Sequence, residues 1–391
     1  MTTPPATLPI ESRSADSPAA RLATRLAFLA AGFGLASWAP LVPFAKQRLG
    51  VDDGVIGLLL LCLGAGSVAA MLRTGPMCAR YGCKPVIVAS GVLLALMLMP
   101  LALVDAPWAL GLSLLGFGGA LGSLDVAMNV HAVEVERDAP VPLMSGFHAM
   151  FSVGGFLGSA LVTFMLSSSI SPFACTVLCA VLIVVTMLVA SPRLIETARV
   201  ASGHAVAWPR GAIVLLAGLA AVCFLVEGAM LDWSALLLTT QSLAAPAQAG
   251  LGYAFFSVAM TAGRFGGDAI TARIGDRATM LWGGIAAIGG FAVLLFASRL
   301  ELALGGFVLI GLGASNIVPV LFRRAGTLPG TPTAMAIAAL TTVGYAGQLL
   351  GPAAVGFVSH LASLPTAFWL LAALLLAVPA FAGKVAPASP R

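Results

Sequence analysis

Charge is the scarce commodity in this sequence. Asp, Glu, Lys and Arg together make up 9% of its 391 residues, against 60% hydrophobic residues and a mean hydropathy of +1.03. A water-facing surface carries roughly 25% charged residues, so most of this surface faces lipid rather than water. Catalytic constellations are missing as well. His131, His148, His204 and His360 fall on separate segments, with no HExxH pattern and no paired carboxylates, which argues against a metal-dependent membrane enzyme. No GxxxxGK[ST] loop is present to cradle a nucleotide, so this chain alone does not read as an ATP-driven pump. Cys175 and Cys179 are spaced i,i+4 but have no His or acid beside them, so they and the other four cysteines read as packing thiols, with no metal or cofactor expected. The first twenty residues lack the apolar core of a secretory signal and are rich in Pro, Ser and Thr. The excess of positive charge, +5, is spread along the chain, which gives no sign of a nucleic-acid partner.

What is abundant is apolar sequence in lengths that fit a bilayer. A hydrocarbon core about 30 Å thick takes roughly 20 residues of helix. Apolar runs fall at about 23–45, 54–72, 85–104, 108–131, 143–166 and 172–190, and again at about 211–239, 247–267, 279–297, 301–322, 332–358 and 364–383. With the N-terminus inside, seventeen Lys and Arg fall on the cytoplasmic side and three (Lys46, Arg48 and Arg299) on the other. That bias predicts an even number of spans with both termini cytoplasmic.

The two sets of six overlay. Ala79-Arg80-Tyr81-Gly82-Cys83-Lys84 matches Ala272-Arg273-Ile274-Gly275-Asp276-Arg277, Gly122 and Asp125 match Gly313 and Asn316, Ser152-Val153-Gly154 matches Thr342-Val343-Gly344, and Trp38 matches Trp233. Four matches in order at offsets of 190 to 195 indicate a six-plus-six duplication. The expected fold is an all-α membrane protein of twelve transmembrane helices in two pseudo-symmetric halves, with a binding site between them near mid-membrane. The expected organisation is a tail (1–21), a first half (22–190), a linker (191–210), a second half (211–383) and a short tail (384–391).

The loop Gly75-x-x-x-Ala79-Arg80-x-Gly82-x-Lys84 resembles the signature loop of the major facilitator superfamily, G-x-x-x-D-R-x-G-R-R/K. This chain has Ala79 where the family has Asp and Cys83 where it has Arg, so the family's gating salt bridge cannot form in its usual way. Arg264-x-x-x-Asp268 ahead of the second copy is the candidate substitute. The run Asp125 to Asn129 with His148, and Glu227-Gly228 with Asp232-Trp233-Ser234, resemble a bacterial inner-membrane branch near the fucose-permease-like group. The resemblance implies the major facilitator fold and a transporter in the inner membrane, without naming its cargo.

Acids inside apolar helices need a partner, water or a task, because an ionised side chain at the bilayer centre costs about 2.5–3.5 kcal/mol on insertion scales. Asp125 shares a helix face with Gly118, Gly122 and Asn129, about 25 Å from the outer end of its helix, with His148 at comparable depth as a candidate partner. Glu227 lies about 24 Å from the inner end of helix seven; Asp232 and Trp233 follow it outward. Asn316 and Gln348 are uncharged polar positions suited to orienting a ligand. These eight residues are the expected substrate or proton pathway; Arg80, Gly82, Lys84, Arg264, Asp268 and Arg273 are the expected gating loops, and Glu134, Glu136, Arg137 and Asp138 read as a solvated gate or loop. The third, sixth, ninth and twelfth segments carry no internal charge and read as lipid-facing supports. The function expected is proton-coupled symport of a small polar solute by a monomer. An efflux antiporter is the nearest alternative, weakened because Phe151 to Ser159 lacks the Pro of the family's antiporter signature. A non-transporting sensor or scaffold is the alternative from another class.

Overall fold

A computed structural model of the chain describes residues 17–51, 53–196, 211–244 and 251–386. The expected tail through residue 16, most of the expected linker (197–210) and residues 387–391 lie outside the described residues.

Eleven helical stretches are long and apolar enough to cross a membrane among the described residues. One of them, Leu251–Leu295, holds two spans, since 45 residues of helix would reach roughly 68 Å, over twice a bilayer core. Its backbone turns at Gly275, with φ 80° and ψ 161°, a conformation that glycine reaches because it has no Cβ. The twelve spans are α1 (Pro18–Trp38), α2 (Asp53–Tyr81), α3 (Cys83–Leu98), α4 (Pro107–Arg137), α5 (Met144–Ser167), α6 (Pro172–Ala190), α7 (Ala212–Thr240), α8 (251–274), α9 (276–295), α10 (Leu300–Gly326), α11 (Thr333–Leu361) and α12 (Leu364–Val385).

The duplication is visible in the backbone. Gly82, between α2 and α3, has φ 84° and ψ 159°, nearly the conformation of Gly275, its counterpart in the overlay. Packing repeats too: α1 lies on α5 as α7 lies on α11, and α2 lies on α4 as α8 lies on α10. The halves meet mainly through α2 against α11 and α5 against α8. Leu96, Leu188, Trp282 and Leu374 on α3, α6, α9 and α12 are exposed, as lipid-facing supports require. The face carrying Gly82 and Gly275 is here termed lower and the opposite face upper.

Two local devices shape the helix ends and the centre of the bundle. At the upper face the short helix Val42–Leu49 aims Arg48 at the end of α3, where it donates to the carbonyls of Leu101, Ala102 and Val104 at 2.8, 2.9 and 3.0 Å. It thereby satisfies acceptors that a helix end leaves open. Helix α10 is interrupted after Ala314 and resumes at Ile317. Pro319 lacks the N–H that would bond to the Ser315 carbonyl, and the break falls at Ser315 and Asn316.

Helix ends depart from the sequence reading on the lower side. The spans expected to stop near residues 131 and 267 continue to Arg137 and to residue 274. Charges taken as the start of loops instead lie on helical turns that are packed and paired. Arg264 is therefore not a cytoplasmic-loop residue: it sits thirteen residues into α8, near mid-span. Removing it leaves sixteen basic residues against three, so the positive-inside bias survives.

Candidate functional site

Near mid-span the two halves are joined by a guanidinium. Arg264 of α8 is 8% exposed. It donates to Ser152 Oγ of α5 at 3.0 Å and to both carboxylate oxygens of Glu227 on α7 at 3.3 and 3.4 Å. Its Nε is buried without a hydrogen-bond partner among the described residues. The bonds to Glu227 are longer than the 2.7–2.9 Å usual for charge-assisted pairs. Arg264 thus holds an acid of its own half and a hydroxyl of the other, with donor capacity to spare.

Asp125 of α4 is buried at 7% exposure. Its Oδ1 lies 3.4 Å from Asn129 Nδ2, which itself donates to the Asp125 backbone carbonyl at 2.9 Å. No cation lies within ion-pair distance of it among the described residues. The glycine face above it is filled rather than open. Gly118 lies against the backbone of Leu63, and Ser67 of α2 donates to the Gly118 carbonyl at 2.8 Å, a close approach that a Cβ at residue 118 would block. The ring of Tyr345 on α11 lies against that of Phe224 on α7, with centroids 5.8 Å apart, one turn before Glu227.

The other expected pathway residues divide. Gln348 packs against Gly228, beside Glu227. The expected pairing of His148 with Asp125 is not made: His148 Nδ1 bonds to the Met144 carbonyl of its own helix at 3.0 Å, and its ring lies between Phe28 and Phe322 with centroids 5.2 and 5.3 Å away. Asn316 turns toward α8 instead of open space, donating to the Gly263 carbonyl at 3.1 Å and to Ser315 Oγ at 2.9 Å. The break in α10 frees it to do so. Asp232 is exposed and lies above the Arg264 cluster, while Trp233 packs on Gly356 of α11. The indole N–H groups of Trp233 and of its overlay partner Trp38 are both buried without partners among the described residues.

At the lower face the halves are locked by ions. Glu136 of α4 pairs with Arg323 of α10 and accepts the N–H groups of Leu143 and Met144 at 2.5 and 2.6 Å. Arg323 and Arg324 each bond to Asp276, both at 2.6 Å. Arg137 bonds to Glu134 at 2.7 Å and to Thr333 Oγ1 of the second half at 3.0 Å. Asp268, one turn below Arg264, accepts the N–H groups of Ser145 and Gly146 at 2.9 and 2.8 Å. Gly82 makes its turn, and Arg80 stacks on Tyr81 at 5.0 Å. Arg80, Lys84 and Arg273 make none of the cross-half bonds found among the described residues. The solvated reading of Glu136 is corrected, since it is buried at 8% exposure between a helix N-terminus and a guanidinium.

Sequence reasoning placed Glu136 in a solvated gate or loop without its partners, and passed over Asp276 and Arg323 at the lower face and Tyr345 beside α7. For Tyr345 a signal was there to use: it is one of only 3 tyrosines in the chain.

No protein-family model matches the chain. It is 44% identical over 366 residues to a Yersinia pestis protein described as an uncharacterized MFS-type transporter, covering 93% of this chain and 95% of that one. It is 32% identical over 361 residues to an uncharacterized transporter of Sinorhizobium fredii, covering 90% and 94%. Its fold matches that of the E. coli fucose:proton symporter FucP with a TM-score of 0.75 at 19% identity, covering 96% of this chain and 100% of that structure.

Proposed function

The chain belongs to the major facilitator superfamily of membrane transporters, and on that premise we propose that it is a secondary active carrier of a small polar solute, coupled to protons in symport and working by rocking of the two halves. The observation that carries this reading is the Arg264 cluster. A buried guanidinium spans α5, α7 and α8 at mid-depth beside an acid it holds loosely, while a second acid, Asp125, has no cation within ion-pair distance among the described residues. A protonatable acid that exchanges its proton as the solute enters is what coupling requires, and moving one charge through 100 mV supplies about 2.3 kcal/mol.

The lower face is read as cytoplasmic, with both termini there, in a bacterial inner membrane; the distribution of basic residues supports this. With its gate of Glu136, Arg323, Asp276 and Asp268 closed, the arrangement corresponds to a carrier sealed on the cytoplasmic side.

The test combines binding and flux. Purified protein is screened for thermal stabilisation by sugars, amino acids, organic acids and cationic amphiphiles, where a ligand at 100 times its Kd adds about 2.7 kcal/mol to stability. The hit is then followed in proteoliposomes under an imposed pH gradient. Uptake toward the alkaline interior, lost in Glu227→Gln, supports symport. Movement toward the acidic compartment identifies an antiporter, and binding without flux in any gradient identifies a sensor.

A further inference from the structure

The signature loop departs from its family at Ala79 and Cys83, and nothing in the pathway or the gate uses the cysteine that stands there. Cys83 opens α3, and Cys78 lies on the last turns of α2, so the two cysteines flank the Gly82 turn. Both line a cavity of about 550 Å³ whose wall continues through Ala79, Glu134 and Arg137 of the first half to Gly326 and Thr333 of the second. No third ligand completes the pair, for no group of three or more His, Cys, Asp or Glu able to hold a metal occurs among the described residues. That excludes the four-ligand sites of zinc and leaves species satisfied by two sulfurs.

We propose that Cys78 and Cys83 form a dithiol binding site for thiophiles that need only two protein sulfurs, of which trivalent organoarsenicals are the defining class. The reaction with phenylarsine oxide is balanced without an oxidant: two S–H bonds break, two As–S bonds form, and the arsenic-bound oxygen leaves with both protons as water. The chelate bridges the end of α2 to the start of α3. Its phenyl group occupies the cavity between the two halves, so the site reports on the closure of the lower face. The proposal is independent of which solute the carrier moves.

The test uses full-length detergent-purified protein and phenylarsine oxide, read by intact mass and by maleimide protection mapped on peptides. One phenylarsenic group per chain is expected, added with loss of one water, with Cys78 and Cys83 both protected and the adduct removed by a dithiol but not by a monothiol. It is expected to persist when Cys62, Cys175, Cys179 and Cys223 are replaced by Ala, and to be lost in Cys78→Ser and in Cys83→Ser. The i,i+4 pair Cys175 and Cys179 is the competing site, and protection mapped there overturns the proposal. So does an adduct that survives Cys83→Ser, or wild-type protein in which both loop thiols stay open to maleimide. The peptide map on wild-type protein decides the matter even if the multiple-cysteine variant does not fold.

Discussion

Glu136 and Asp268 divide the start of α5 between them: Glu136 accepts from Leu143 and Met144, and Asp268 accepts from Ser145 and Gly146. Four successive N–H groups, which a helix N-terminus leaves open, are thus satisfied by two carboxylates, one from each half. Negative charge at that end is favoured by the helix dipole by about 0.3–1 kcal/mol at exposed positions and up to about 2 when partly buried. In the proposed rocking of the halves, opening of the lower face has to pull Asp268 off α5 while Glu136 stays.

Asp268→Asn keeps an acceptor and removes the charge. It is expected to favour the state open at the lower face, read as at least a tenfold faster maleimide reaction of a cysteine introduced at Ser145. An unchanged rate would remove Asp268 from the gate.

Glu136→Gln and Arg323→Gln each strand a buried partner, a change that costs about 3–5 kcal/mol when a buried pair is broken. Arg323→Gln also frees Asp276 from one of its two arginines. Both variants should melt lower than wild type, and the double variant should recover part of the loss. Additive losses in a double-mutant cycle would mean the pair is not coupled.

For Arg264 and Glu227 the same cycle separates structure from transport. Glu227→Gln keeps an acceptor but leaves the buried Arg264 without its counter-charge, so thermal stability falls, and Glu227→Gln with Arg264→Gln should regain much of it. Solute-driven proton movement should be absent in both variants. A stable double variant that still couples protons would place coupling elsewhere, with Asp125→Asn as the next substitution to measure.

Arg48→Ala removes donors from three α3-end carbonyls, and each buried acceptor left unmet costs about 1–3 kcal/mol. Some of that cost is relieved by water at this partly exposed rim. Melting temperature should drop clearly in Arg48→Ala and less in Arg48→Lys, which keeps a cation but not the three-way fork. Equal melting of all three proteins would show the clamp to be slack.

The span count, the duplication and the lipid-facing helices were legible because bilayer thickness and period leave few alternatives. Gly82 and Gly275 even carry matching backbone angles at overlaid positions. The site was legible as a set of acids but not as a set of pairs. Arg264 looked like the start of a loop because a charge normally ends an apolar run. Only its contacts with Glu227 and Ser152, 37 and 112 residues away, turn it into a mid-membrane group. His148 and Asp125 matched in depth, but depth along parallel rods says nothing of azimuth, and the imidazole had a nearer carbonyl. Glu136 looked solvated because sequence cannot show that the next helix begins on top of it.

The Arg48 clamp has a mechanical side. By fastening the link between α1 and α2 to the end of α3, it stiffens the upper rim of the first half against local bending. A half stiffened there behaves as a lever with no joint along its length. In the proposed rocking of the halves, displacement where Asp268 leaves α5 would then reach the opposite rim through that arm, which ties the timing of the two faces together.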